Sequence, residues 1–311
     1  MKAWQFTTTH EPLTQVELPD PEPGRGEVLI GVKAAGICHS DVGLFEDEKW
    51  TASMTLPVVP GHESAGVVEA LGEGVTDLAV GDRVAVWPMA EGHGYTRNGG
   101  FGEKIVAKST TVVRIPDGVP FELAAASTDA GMTSHGAVMG TGRVKAGDRV
   151  GIIGFGGLGQ IGARIAVLNG AEVYVAEVNE SVWPRAREAG VKDIVADIRE
   201  LADRKLDVIV DFAGFGTTTA AAVETVGYRG RVVQVGMGRL EATINTYALI
   251  MNEVSVVGSK GGTTDDIAGV LRWMSSGDLT PAVEYTDFAG IPDGIARLRD
   301  GGVKGRLVAL Y

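Results

Sequence analysis

"GIIGFGGLGQIG", residues 151–162, runs from an apolar strand pattern straight into a cluster of glycines. Gly154, Gly156 and Gly159 form G-x-G-x-x-G, with Gly157 and Leu158 in the same turn. The motif means little alone, and its context decides it. "RVGIIG" (149–154) reads as a buried strand, and a helical pattern follows from about Leu158 to Asn169. In such a strand–turn–helix the first glycine permits the tight turn. The second lets the backbone approach a pyrophosphate, and the third lets helix pack on strand. The helix N-terminus then offers free N–H groups and a partial positive charge to the phosphates.

Downstream the same rhythm continues. "AEVYVAE" (171–177), "DVIVDFAG" (207–214), "GRVVQVG" (230–236) and "EVSVVGS" (253–259) read as strands, with helical "PRAREAG" and "TTTAAAVETVG" between them. This alternation predicts an α/β region: a Rossmann-type, doubly wound parallel sheet with helices on both faces. An acid is expected at the end of the second strand, on the adenosine ribose hydroxyls, and Glu177 stands there, 177 − 159 = 18 residues after Gly159. Val178, Asn179, Glu180 and Ser181 follow, without an arginine. A carboxylate in that place repels a 2′-phosphate, so NAD is expected over NADP.

Upstream the texture is β. "EVLIGVKAAGI" (27–37), "SAGVVEAL" (64–71), "DRVAVW" (82–87), "EKIVA" (103–107) and "TTVVRIP" (110–116) are short strands separated by glycine and proline signals. They predict a barrel-like β domain. The alanine-rich "PFELAAASTDAGMTSHGAVM" (120–139) is helical, and the chain closes with a helix, "TDDIAGVLRWMSSG", and a strand, "GRLVALY".

Composition bounds the function. The chain has 311 residues, 44% hydrophobic and 22% charged, which suits a globular protein of two domains. Twenty-eight basic against 40 acidic residues leave −12, which disfavours nucleic acid and anionic membranes as partners. The single cysteine excludes an intrachain disulfide and any C-x-x-C zinc lobe. The N-terminus lacks an apolar signal core, and the apolar run Val150–Gly162 is too short to span a bilayer, so a cytoplasmic, soluble protein is expected.

That one cysteine, Cys38, lies in "AAGICHSDVG" (34–43), beside His39, Ser40 and Asp41. "PGHESAG" (60–66) follows with His62 and Glu63. Catalytic zinc takes three protein ligands and keeps one position open. Cys38 and His62 supply two, and Glu63, His93 and Asp129 are the candidates for the third.

"GICHSD", "PGHESAG", "LGEGVTDLAVGDRV", "GFGGLGQIG" and "GRLVAL", in this order over nearly the whole chain, resemble the zinc-dependent medium-chain alcohol dehydrogenase family. The resemblance implies a GroES-like catalytic β domain over 1–130, to which 263–311 returns, and a Rossmann domain over 131–262. It implies one catalytic zinc per chain on Cys38, His62 and Asp129, the last in "STDAGMTSHGAV". Glu63 becomes an outer or exchanging ligand, Ser40 the hydroxyl that takes the alcohol's proton, and Asp41 the support of the His62 ring. His39 falls near the cofactor pyrophosphate, Thr133 near the nicotinamide and Arg306 on a phosphate, while Trp50 and Trp87 line an apolar substrate pocket. The implied reaction is hydride transfer between NAD and an alcohol or ketone, in a homo-oligomer, dimer or tetramer.

Two features depart from the family. "GDRVAVWPMAEGHGYTRNGGFGEKIVA" (81–107) contains no four-cysteine structural zinc lobe, and Gly43 stands where relatives carry a histidine of the outer proton relay. The competing readings are a zinc-free quinone or enoyl reductase of the same superfamily and a non-catalytic cofactor-binding protein. Cys38 and His62 argue against the first, and retention of Cys38, Ser40, His62 and Glu63 together against the second.

Overall fold

A computed structural model describes residues 1–311 and divides them into two units, Met1–Asp129 with Thr263–Tyr311, and Ala130–Gly262. No helix is long and apolar enough to cross a membrane.

The first unit is organised by one strand, Glu27–Ile37, buried along most of its length. It pairs antiparallel with Glu63–Leu71, Lys104–Lys108 and Arg306–Leu310. The sheet continues through Arg83–Val86 to Val112–Arg114 on one side, and to Val283–Asp287, parallel to Arg306–Leu310, on the other. A small hairpin, Lys2–Gln5 with Thr14–Glu17, forms its own two-stranded sheet and is bridged to the chain beside Lys104–Lys108 at Ala3 and Gly102. Phe6, Ile30, Ile37, Leu44, Phe101 and Ile105 are fully buried at its core. The register matters for chemistry. Gly36 pairs with Glu63, and Ile37 pairs with Leu307. The residues just beyond those pairs, Cys38, His62 and Arg306, are therefore gathered at one end of three neighbouring strands.

The second unit holds a six-stranded, all-parallel sheet. Across it run Asp193–Val195, Glu172–Ala176, Arg149–Ile153, Val208–Asp211, Arg231–Gln234 and Ser255–Gly258, which in chain order of this unit reads 3-2-1-4-5-6. That is the doubly wound dinucleotide-binding order, with its crevice where the order reverses, between the first and fourth strands. The glycine turn emerges there. Gly154 has φ +86°, open to glycine at no steric cost, and a Cβ on Gly159 would lie 1.8 Å from the Gly154 carbonyl oxygen. The following helix, Gly159–Leu168, matches the expected span within a residue.

Several elements differ from expectation. The segment 120–139 is not a uniform α-helix: Phe121–Ala126 is α, and Ser127–Gly131 widens into a π turn, as does Gly136–Thr141. Single π turns of this kind are often found at functional sites. The third crossover is a 3₁₀ helix, Ile198–Arg204, opened by a capping box between Asp197 and Glu200.

Candidate active site

Cys38 ends the long strand and immediately starts the helix His39–Glu46. The spacing Cys38-x-x-Asp41 has a local cause. Asp41 Oδ2 accepts the Cys38 N–H at 2.8 Å, which satisfies a donor that the strand end leaves open. The other oxygen, Oδ1, faces His62 Nδ1 at 3.4 Å. Asp41 is thus buried between two tasks, shaping the turn under Cys38 and orienting the His62 ring.

The ligand atoms of Cys38, His62, Glu63 and Asp129 all lie within 4.8 Å of one another. Asp129 comes from the π turn and stands inside the helical stretch, not at its start, so it does not act as a helix cap. Its Oδ2 is the focus of the cluster: 3.4 Å from Cys38 Sγ and 3.6 Å from His62 Nε2. Zinc bonds of ~2.0–2.3 Å in a tetrahedron place donors ~3.3–3.8 Å apart, so these separations fit the ion. One soft thiolate, one imidazole and one carboxylate form a donor set that zinc accepts. His93 is not among them. It is buried in the loop after the Arg83–Val86 strand, with Nε2 3.0 Å from the Val106 carbonyl oxygen.

Glu63 is fully buried, and Gly36 makes room for it: a Cβ there would lie 2.1 Å from Oε2. Its counter-ion is Arg306, itself only 3% exposed, whose Nε donates to Oε2 at 3.0 Å while Nη2 lies against Oε1. Nη2 also donates to Asp129 Oδ2 at 2.9 Å. The Glu63–Arg306 pair is neutral as a unit, leaving the negative charges of Cys38 thiolate and Asp129 to balance a dication. Burial opposes charging of His62, but the Asp41 carboxylate beside it and the bonds to Asp129 and Asp41 outweigh it, so its pKa lies well above the ordinary value in the metal-free chain.

Ser40 Oγ is 3.4 Å from His62 Nε2. Trp50 is half-buried with its indole laid on Gly43, where a Cβ would meet the ring at 2.8 Å. The Trp50 ring occupies the space that a side chain at 43 would need. Trp87 is half-buried, and its backbone N–H donates to the Thr111 carbonyl at 2.8 Å; His39 is exposed.

Tyr95 carried no signal in the sequence, yet it belongs to this cluster. Its hydroxyl is 3.4 Å from both Ser40 Oγ and His62 Nδ1, and its ring stacks on His62 at 5.4 Å. Burial pushes the phenol pKa up to about 12, so it stays a donor. The loop that carries Tyr95 is fastened at its base by Glu91, which accepts from Lys108 N at 2.8 Å and Thr111 Oγ1 at 3.0 Å and pairs with Arg97.

In the second unit a cavity of about 320 Å³ opens beside the glycine turn, lined by Gly154, Glu177, Asp197, Arg199, Phe215 and Thr218 among others. Glu177 Oε2 accepts the Phe155 N–H and Oε1 the Asn179 N–H, each at 2.7 Å. It therefore braces the turn as well as marking the end of the second strand. Arg199, the only arginine of the lining, is already held by Asp197 at 3.0 and 2.9 Å. Thr133 is buried in this unit.

Residues 24–117 match the family model of the alcohol dehydrogenase GroES-like domain, and 157–276 that of the zinc-binding dehydrogenases. An alcohol dehydrogenase of Geobacillus stearothermophilus is 32% identical over 337 aligned positions, 99% of each chain. The NADP-dependent alcohol dehydrogenase C of Mycobacterium bovis is 30% identical, covering 98% of this chain and 97% of its own. Among solved structures, acetophenone reductase from Geotrichum candidum in complex with NAD superposes with a TM-score of 0.91 at 29% identity, covering 100% of this chain and 97% of its own.

Proposed function

The chain belongs to the zinc-dependent medium-chain alcohol dehydrogenase family, and from that premise we propose a zinc-dependent, NAD-linked enzyme that interconverts a secondary alcohol and its ketone. The observation that carries the reading is the meeting of Cys38, His62 and Asp129 donors at the gathered strand ends. When bound, zinc supplies Lewis acidity and NAD the hydride acceptor.

The residues do the rest. Cys38, His62 and Asp129 hold the metal, and Asp41 keeps the His62 proton on Nδ1 so that Nε2 is the donor. Ser40 accepts the alcohol's proton and passes on its own. Glu63 stays behind the site as a reserve ligand, held by Arg306. Arg306, which holds Glu63 and Asp129, is proposed from the resemblance to meet a cofactor phosphate. His39 and Thr133 complete the cofactor contacts proposed from the resemblance, and Trp50 and Trp87 the substrate wall. In the second unit, Gly154, Gly156, Gly157, Leu158 and Gly159 cradle the pyrophosphate, and Glu177 selects NAD. Arg199, the one arginine of the cavity lining, is paired with Asp197, a solvent-exposed pair that lowers its pull on a 2′-phosphate without removing it.

The ketone assignment is supported by the likeness to an acetophenone reductase, and the zinc-free reductase reading is disfavoured by the Cys38–His62–Asp129 set. A cytoplasmic homo-oligomer is the assembly we propose. Its support is the edge strand Ser255–Gly258, whose open side is unpaired and where Val256 is 40% exposed. The test of the activity is zinc content and NADH oxidation with simple ketones, in wild type and Cys38→Ser. Full zinc and full rate in the variant contradict the reading.

A further inference from the structure

We propose that Tyr95 is a positioning residue of the reaction, acting through Ser40; this rests on the reading of Ser40 as the proton-accepting hydroxyl. A serine hydroxyl has one hydrogen and two lone pairs, and nothing in the residue itself decides where they point. Two neighbours decide it here. His62 Nδ1 faces Asp41 Oδ1 at 3.4 Å and carries its proton toward that carboxylate, so Tyr95 cannot donate to Nδ1. The phenol hydrogen goes instead to the other acceptor at 3.4 Å, Ser40 Oγ. With one lone pair of Ser40 filled, its own hydrogen and its second lone pair are turned away from Tyr95. That is the arrangement a hydroxyl needs to take one proton and release another in a single step.

The position of Tyr95 is built in. Its carbonyl accepts the Thr55 N–H at 3.1 Å and its N–H donates to Gly92 at 2.9 Å. The ring is braced flat on His62, interplanar angle 30°. The loop is fastened by Glu91 and by Asn98, the latter accepting the Val59 N–H at 3.0 Å. The fastened loop thereby brings a tyrosine to the proton path.

A double-mutant cycle with zinc-loaded enzyme tests this: Tyr95→Phe, Ser40→Ala and the pair, reading kcat, KM and zinc per chain. Tyr95→Phe keeps the ring and its stacking and is expected to lower kcat about tenfold, the worth of one hydrogen bond in a transition state, with KM and zinc unchanged. In the Ser40→Ala background the same substitution is expected to cost less than about twofold, because its target is gone. Equal losses in both backgrounds, or a Tyr95→Phe enzyme with normal kcat, overturn the proposal while leaving Ser40 its role. A Ser40→Ala enzyme with normal kcat overturns the Ser40 reading, and the proposal with it.

Discussion

Glu177→Gln is expected to move the enzyme from NAD toward NADP by a calculable amount. In the wild type both oxygens of Glu177 accept backbone N–H groups, from Phe155 in the glycine turn and from Asn179. Glutamine keeps the shape but offers one oxygen, so one N–H loses its partner. That weakens the turn by ~0.5–1.5 kcal/mol, and NAD use falls about two- to tenfold. The gain for NADP comes from charge. A carboxylate ~4 Å from a phosphate costs about 1 kcal/mol in water and about 4 in partial burial, and Glu177 is half-buried. With salt screening, ~1–3 kcal/mol, or ~5–150-fold, is the reasoned benefit of removing it. The assay is kcat/KM for NADH and NADPH at saturating ketone. A wild type that prefers NADPH, or a ratio that moves less than about twofold in the variant, refutes the reasoning.

Three further outcomes are expected. Arg306→Leu leaves fully buried Glu63 without its counter-ion and should lower stability by about 3–5 kcal/mol in urea unfolding, whereas Arg306→Leu with Glu63→Leu should recover most of it; an unchanged midpoint in the single variant contradicts the pairing. Zinc binding should release a proton from His62: its raised folded pKa means the imidazolium's contribution to apo-protein stability is full below ~6.5 and fades as pH rises through the folded value, and zinc requires a bare Nε2 in that window. Calorimetry in buffers of different ionisation enthalpy reads it, and, because zinc also displaces the Cys38 thiol proton, release of no more than about one proton per zinc near neutral pH speaks against this protonation state. Val256→Lys on the open edge strand should lower the assembled mass in sedimentation without loss of zinc, and an unchanged mass places the interface elsewhere.

What the sequence disclosed was mostly local chemistry. The turn at Gly154–Gly159 is written in contiguous residues, because each glycine answers a steric demand within a few positions of itself. The strand Glu27–Ile37 was read to the residue, since its apolar run is bounded by a glycine-rich turn and by Cys38. By contrast Asp193–Val195 has three residues, and Val283–Asp287 shows little burial to pattern its sequence. The π turn carrying Asp129 is invisible in an alanine-rich stretch that favours helix throughout. Asp129 stands beside Glu63 and His93 as one of three candidates in the sequence, and only the resemblance singles it out. The Arg306–Glu63 pair spans 243 positions and depends on the register of three strands. Tyr95 lay in a loop whose informative property seemed to be the cysteines it lacked; its role depends on where Glu91 and Asn98 fasten that loop.

The central claim is that Asp129 completes a zinc site with Cys38 and His62. The most direct measurement is zinc per chain and ketone-reduction rate in Asp129→Asn beside wild type, with Asp129→Cys as the restoring variant. Asparagine preserves the size of the side chain and its acceptor oxygen but removes the negative charge that offsets the dication. The account predicts about one zinc per wild-type chain, loss of most zinc and nearly all turnover in Asp129→Asn, and partial return of both in Asp129→Cys. Full zinc and a normal rate in Asp129→Asn would contradict it and leave Glu63 as the third ligand.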